Sequence, residues 1–371
     1  MNVPFIDLKR FENGFLDTWN SKIASMSEKA QFIGGEEVSR LEQGLVDYTQ
    51  VQYAVSCANG TDALQLALRA MGVGAGDDVL VPDMTFWATF EAVVNVSATP
   101  HTVDCDPVDG GVDIAAFKQA VETIKPKTAI IAHLYGWATS HLQEIRDFCK
   151  AQNVMLLEDG AQCFGAKFNG DSIYKDAYIS TTSFYPAKVL GAAGDAGAVF
   201  TNDQALADKV RQLSNHGREQ HYGYASVGWN SRLDSFQAAF LNLSLPHLDA
   251  RIASRVKSVE YYHQHIKNEK VKVMPAPTGF AENGYCNVCI VEDKAFKEAL
   301  QAHLKEKGIA FGNIYPSPLS HQVGAKGSIG QHFGQGQTLG YCDAVLNLPL
   351  FPYMTDAELQ YVVDTVNNFT A

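Results

Sequence analysis

The chain has 371 residues, 46% of them hydrophobic and 19% charged, and a formal net charge of −12. This is the composition of a soluble globular protein too long for one ordinary domain. It argues against nonspecific nucleic-acid binding, since no Lys/Arg cluster stands out, and against a membrane protein, since no run approaches the roughly 18 apolar residues of a span. The N-terminal run MNVPFIDLKRFENGF carries acids and a proline before any apolar stretch, so it predicts neither a signal nor a transit peptide.

Beyond it, β-rich runs alternate with helical patterns. QYAVSCA (52–58) precedes TDALQLALRAMG (61–72), DVLVPD (78–83) precedes TFWATFEAVVNVS (85–97), and TPHTVDCD (99–106) precedes DIAAFKQAVETI (113–124). TAIIAHLYG (128–136) precedes HLQEIRDFCKAQN (141–153), and VMLLEDGAQ (154–162) follows. Such alternation predicts a mostly parallel sheet with helices on both faces. From about residue 236 the pattern changes. A helix broken at Pro246 leads into a long helix, then strands, a helix over 293–308 and a last helix opening at Thr355-Asp356. The expected organisation is a large domain over 1–245 and a smaller α/β domain over 246–371 that includes the linking helix. The N-terminal segment is free to pack on the smaller one.

Seven cysteines are scattered along the chain, an odd number that suits reduced thiols and a cytoplasmic location. Cys286 and Cys289 form a CxxC, but YCNVCIV alternates like a strand and no second pair exists.

Ligands of such sheets bind beyond the carboxyl ends of the strands, and five stretches with chemical potential lie just after a predicted strand or open a helix. In ANGTDALQLAL (58–68) a turn at Asn59-Gly60 opens a helix at Thr61. Its free N–H groups and dipole suit a phosphate, with the Thr61 hydroxyl as an added donor. A plain helix cap is the competing reading. In LLEDGAQCFGA (156–166) an apolar strand runs into Glu158-Asp159. A carboxylate there is costly unless it faces a cation, such as a protonated pyridine nitrogen; a structural turn cap is the alternative. SFYPAKVLGAAGDAGAVF (183–200) sets one lysine, Lys188, among small and apolar residues. There an amine is held neutral and nucleophilic, unless it is simply a surface lysine on a glycine-rich loop. The hydroxyls just upstream, Ser183 among them, can meet a phosphate. Phe86 and Trp87 in TFWAT offer a ring-stacking aromatic, or ordinary core. In GWNSRLDSFQAAFL (228–241) Asn230 and Arg232 precede a helix, and the guanidinium suits a phosphate or carboxylate. A solvated arginine is the alternative. Together the stretches supply what one cofactor, pyridoxal 5'-phosphate, requires.

In this order the motifs resemble the DegT/DnrJ/EryC1/StrS family of sugar aminotransferases, within the fold-type I pyridoxal-phosphate enzymes. The resemblance runs through PFIDLKR (4–10), IGGEEVSRLE (33–42), ANGTDAL, VPDMTFWATFEAV (81–93), HLYG (133–136), EDGAQCFGA, SFYPAKVLGAAGDAGAV, HG (216–217), GWNSRLDSFQAA, IYPSPLSHQ (314–322) and LNLPLFPYMT (346–355). It implies a mostly parallel seven-stranded central sheet with helices on both faces and a smaller C-terminal α/β domain. By the same resemblance, Lys188 would anchor the cofactor and move protons, and Asp159 would pair with its ring nitrogen. Gln162 would lie near the ring oxygen or the reacting face. Gly60, Thr61 and Ser183 would hold the phosphate, and Phe86, rather than Trp87, would stack. Asn230 and Arg232 would reach into a neighbouring subunit's site, Asn230 towards the cofactor phosphate, which implies a homodimer. Arg232, Tyr315 and His321 would contact substrate.

Dehydratase relatives carry histidine where this chain has Lys188, so the resemblance implies transamination. L-glutamate would be the donor and the C3 keto group of a dTDP- or UDP-linked keto-hexose the acceptor, in amino-sugar biosynthesis for a surface glycan or metabolite. A C4-keto-sugar aminotransferase, a family dehydratase and a non-catalytic cofactor-binding regulator are the alternatives. The chain departs from the family pattern at Ile314, where a histidine is usual, and around YCNVCIVED.

Overall fold

The computed structural model describes residues 1–220 and 222–370. Two helices, α1 (Phe15–Glu28) and α2 (Glu36–Thr49), lead into an alternating series. It comprises β1 (Tyr53–Cys57), α3 (Gly60–Ala70), β2 (Asp78–Pro82), α4 (Trp87–Asn95), β3 (Thr99–Val103), α5 (Ile114–Ile124), β4 (Thr128–Ala132), α6 (Leu142–Ala151) and β5 (Met155–Asp159). Strands β6 (Ile179–Ser183) and β7 (Gly197–Thr201) and helix α7 (Gln204–Ser214) complete it. After α8 (Ser235–Ser244), a 3-10 turn at Leu245–His247 carries Pro246, and the long helix α9 (Leu248–His265) begins. The C-terminal part holds β8 (Val271–Val273), β9 (Cys289–Val291), α10 (Lys294–Glu306), β10 (His332–Phe333), α11 (Gln337–Ala344), β11 (Val345–Leu346) and α12 (Asp356–Asn367).

The helix starts follow from capping chemistry. Asn59 accepts from the Asp62 N–H, Asp113 from Ala116 and Asp203 from Ala205 and Leu206. The strands are buried at almost every position, as in a sheet covered on both faces. Alternation then divides the core. Leu80, Ala129 and Ile131 enter one cluster, whereas Val79, Val81 and Ile130 enter the other.

The central sheet runs β1-β7-β6-β5-β4-β2-β3-β10. From β6 to β10 the pairing is parallel, while β7 lies antiparallel to both β6 and β1. The seven expected strands are β1 to β7. Residues 332–333 add an eighth, paired in parallel to β3 through His332–Thr102 and Phe333–Val103. Two residues carry no period that a sequence could display.

The smaller core gathers Tyr262, Val271, Leu300, Leu346, Leu359 and Val363, and Val3 joins it through a parallel bridge to Ile309. Not all of 246–371 belongs there. Leu319 and Ala325 join one face of the central sheet and Phe333 the other. Asp104 holds this returning segment. Its carboxylate accepts the N–H groups of Gln335, Gly336, Gln337 and Thr338 and the Thr338 hydroxyl, capping α11.

Candidate active site

The parallel strands end along one edge of the sheet, where a cavity of about 840 Å³ opens. Gly60, Thr61, Phe86, Asp159, Gln162, Ser183, Lys188 and Tyr315 all line it. Gly60 opens α3 so close to β6 that a Cβ there would stand 2.7 Å from Cβ of Ser183. Behind the turn, a Cβ on Gly197 would meet the Asn59 backbone at 2.5 Å. Glycine is required at both for the helix start to approach the strands. The first N–H groups of a helix lack intrahelical acceptors, so this end, flanked by the hydroxyls of Thr61 and Ser183, is a cradle for an anion.

Strand β5 ends in two adjacent carboxylates, and alternation sends them to opposite faces. Asp159 lines the cavity. Its Oδ2 accepts a 2.7 Å bond from the Thr89 hydroxyl, itself 2.9 Å from that of Thr85, and its Oδ1 accepts the Ala161 N–H. Glu158 is fully buried, and Arg146 binds both its oxygens at 2.8 Å. His133 Nε2 adds a third contact at 2.9 Å. Burial opposes the charge, yet Arg146 and His133 hold this carboxyl down at about 2.

Lys188 is half-buried, and its Nζ lies 3.5 Å from the Tyr285 hydroxyl and 5.1 Å from the centre of that ring. Burial pushes its pKa below the ordinary lysine value, while the Asp159 carboxylate pulls the other way. Gln162 is clamped from two sides: its Oε1 accepts the Tyr135 N–H and its Nε2 donates to the Tyr315 hydroxyl, each at 2.7 Å. Phe86 is 58% exposed, an uncovered ring beside the cavity, tilted 40° to Tyr315. Trp87 instead packs on Phe90.

Three expected residues stand outside this cavity. Arg232 donates to Asn230 Oδ1 at 2.8 Å and to Asn215 at 3.4 Å, on the segment after α7. His321 is exposed, because Ser320 beside it is tied to Asp83 by its N–H and hydroxyl. Conversely, sequence reasoning missed Thr89, Tyr285 and His133. Tyr285 stands in the very stretch where the chain departs from the family pattern, which was its only signal. Cys286 and Cys289 are buried and free, and burial pushes both thiols up, that of Cys289 to about 12. Chemically the cavity joins an anion cradle, a fixed carboxylate, an exposed aromatic face and an amine biased toward its neutral, nucleophilic form.

Residues 17–367 match the DegT/DnrJ/EryC1/StrS aminotransferase family. A Geobacillus stearothermophilus protein named pleiotropic regulatory protein is 35% identical, over 100% of this chain and 99% of its own. UDP-2-acetamido-2-deoxy-3-oxo-D-glucuronate aminotransferase of Pseudomonas aeruginosa is 34% identical, over 99% of this chain and 100% of its own. UDP-N-acetyl-3-dehydro-alpha-D-glucosamine 3-aminotransferase of Acidithiobacillus ferrooxidans is 34% identical, over 98% and 97%. The crystal structure of S. venezuelae DesV in complex with a ketimine intermediate superposes with a TM-score of 0.92 at 30% identity, covering 99% of this chain and 98% of DesV. The match extends from α1 to α12, and the protein belongs to the DegT/DnrJ/EryC1/StrS aminotransferase family.

Proposed function

We propose that the protein is a pyridoxal-phosphate-dependent aminotransferase. It moves an amino group from L-glutamate to the C3 keto group of a UDP- or dTDP-linked keto-hexose, in amino-sugar biosynthesis. The observation that carries this reading is the meeting of Lys188 and Asp159 with the α3 cradle in one cavity.

The residues fit the cofactor group by group. The Gly60 turn, Thr61 and Ser183 take its phosphate, and the space for that approach exists because Gly60 and Gly197 lack side chains. Phe86 supplies the stacking face. Asp159, oriented by Thr89 and Ala161, keeps a proton on the ring nitrogen. Gln162 lies by the ring oxygen or the reacting face. When bound, pyridoxal phosphate supplies an electron-accepting ring and the carbon that carries the amino group. Lys188 Nζ anchors it and then accepts and returns the proton at the reacting carbon.

The acceptor's regiochemistry is supported by the two UDP-sugar relatives, whose names specify 3-oxo and 3-dehydro sugars. Asn230 and Arg232 serve the site of a second copy in a homodimer, since neither lines the cavity of its own chain. Tyr315 inside the cavity, and Arg232 and His321 outside it, are the substrate contacts of this reading. Lys188 argues against the dehydratase alternative. The name of the Geobacillus relative favours a regulatory role as the alternative, and that reading predicts no turnover.

The test is incubation with L-glutamate and a panel of UDP- and dTDP-linked 3-keto and 4-keto hexoses. The expected result is release of 2-oxoglutarate and formation of a 3-amino sugar. Amination of 4-keto sugars alone overturns the C3 assignment. Absence of any amino transfer overturns the enzyme reading.

A further inference from the structure

A second cavity, of about 370 Å³, adjoins the first, and Lys188 lines both. Its walls include the apolar side chains of Leu8, Phe11 and Phe240, the loop after Lys188, and three arginines. Two arginines are neutralised. Arg10 pairs with Asp7 at 2.7 Å and Glu358 at 2.6 Å, and Arg251 pairs with Glu12 at 2.7 Å. Arg255 differs. It is only 5% exposed, its Nε has no partner, and its Nη1 reaches nothing closer than the carbonyls of Gly284 at 3.3 Å and Leu350 at 3.5 Å. Among the described residues no carboxylate pairs with it. A buried cation without a counter-charge is costly, and burial together with like-charged Arg251 pushes this guanidinium down to about 10.

The first cavity presents the opposite imbalance. Asp62, Glu91, Asp159 and Asp195 line it, against Lys188 alone among lysines and arginines. With Asp159 paired to the ring nitrogen, an amino-acid donor must still bring its amine to the Lys188 side while keeping its carboxylates clear of Asp62, Glu91 and Asp195. We propose that Arg255 binds a carboxylate of the amino donor in the second cavity, with the donor's amine directed to the wall that Lys188 shares. This rests on the aminotransferase reading. The planar guanidinium fork matches a carboxylate in two-point contact, and the burial of Arg255 itself strengthens the pairing. The amino donor and the nucleotide sugar then differ in what they need. The donor requires Arg255, whereas the keto-sugar does not.

The experiment compares the holoenzyme with its Arg255→Lys variant. It follows the cofactor's absorbance change as L-glutamate is titrated, and separately determines KM for the keto-sugar. The expected result is a half-saturating glutamate concentration raised by about 10- to 100-fold, the loss typical of one charge-assisted contact, with the keto-sugar KM within about twofold. Glutarate, an unreactive dicarboxylate, is titrated calorimetrically into both proteins. It should bind the wild type and lose affinity in the variant. Ala193→Trp, at an exposed position on the cavity wall, is the second variant should Arg255→Lys fail to fold, and it should raise the glutamate requirement in the same selective way. Unchanged glutamate saturation, a parallel rise for both substrates, or equal glutarate affinity in the two proteins overturns the proposal. A wild type that binds glutarate through Arg255 yet transfers no amino group from any donor overturns the aminotransferase reading instead.

Discussion

The hydroxyl of Thr89 donates a 2.7 Å hydrogen bond to Oδ2 of Asp159, joining helix α4 to the carboxylate at the end of β5. Thr89 is fully buried and shares a 2.9 Å contact with the Thr85 hydroxyl. Both oxygens of Asp159 are therefore held by the protein: Oδ2 by Thr89, and Oδ1 by the Ala161 N–H at 3.1 Å. A carboxylate fixed in this way costs no reorganisation when charge develops near it. Thr89→Val keeps the shape and removes the donor. One hydrogen bond to a charged group contributes about 1.5–3 kcal/mol, so kcat should fall about 10- to 100-fold while the keto-sugar KM changes little. Steady-state kinetics of the variant checks this. An unchanged kcat would make Thr89 a packing residue only.

What could be read in advance, and what could not, divides along a physical line. Lys188 and Asp159 were legible because each is a charge where a charge is costly, one among alanines and glycines, the other at the end of an apolar strand. Gly60 was legible because a turn followed by a helix start has its own chemistry. Thr89, Tyr285 and the Gln162–Tyr315 pair were not. Their partners lie 70, 97 and 153 residues away in sequence, and no local pattern encodes such closures. Strand β10 is too short to have a period, and the segment after it is held by Asp104, which follows the neighbouring β3 and caps α11. Asn230 and Arg232 lie outside their own chain's cavity, so one chain displays only half of the relationship expected of them.

Removing the amine separates anchoring from binding. Lys188→Ala should leave the phosphate cradle intact, so the cofactor still binds, but no longer covalently. After borohydride reduction the wild type should gain the mass of the cofactor and the variant should not, with amino transfer reduced by about a thousandfold or more. Asp159→Asn should keep the covalent adduct and lose most of the rate, because a neutral amide does not hold a proton on the ring nitrogen. Intact-mass spectrometry and single-turnover kinetics distinguish the two. A covalent adduct in Lys188→Ala would mean that another amine is the anchor.

The cradle can be disturbed without touching a charge. A methyl group at Gly60 would sit 2.7 Å from Cβ of Ser183, inside the contact distance of any carbon pair, and 3.2 Å from its Oγ. The start of α3 must move away from β6, and it takes the phosphate donors with it. Gly60→Ala should therefore weaken cofactor affinity about tenfold or more, by loss of at least one phosphate contact. The residual kcat at saturating cofactor should be much less affected. Fluorescence titration of the cofactor-free variant measures this. An affinity equal to wild type would mean that the phosphate is held elsewhere.

Glu158 tests whether the hidden face of β5 supports the open one. Its carboxylate is fully buried, bound at both oxygens by Arg146 and at one by His133. Its pKa in the folded protein lies at about 2, below the ordinary 4.5, because the Arg146 charge and the His133 contact outweigh the cost of burial. A folded pKa below the unfolded one means that the stabilisation is complete above about pH 4.5 and is lost as the pH falls toward 2. Glu158→Gln leaves Arg146 buried without its counter-charge, a loss of about 3–5 kcal/mol at pH 7 by analogy with other broken buried pairs. Below pH 4.5 the wild type itself begins to lose this contribution, by up to about 1.4 kcal/mol per pH unit, whereas glutamine has none to lose. The gap in unfolding free energy between the two proteins should thus narrow as the pH is lowered from 7 to 3, and urea titrations at several pH values can follow it. Other carboxylates titrate in both proteins alike and cancel in the difference. A gap that stays constant across that range would mean that the Arg146–Glu158 pair adds no charge-dependent stability. The position of β5, and with it that of Asp159, would then rest on the packing of Leu156 and Leu157 in the two cores.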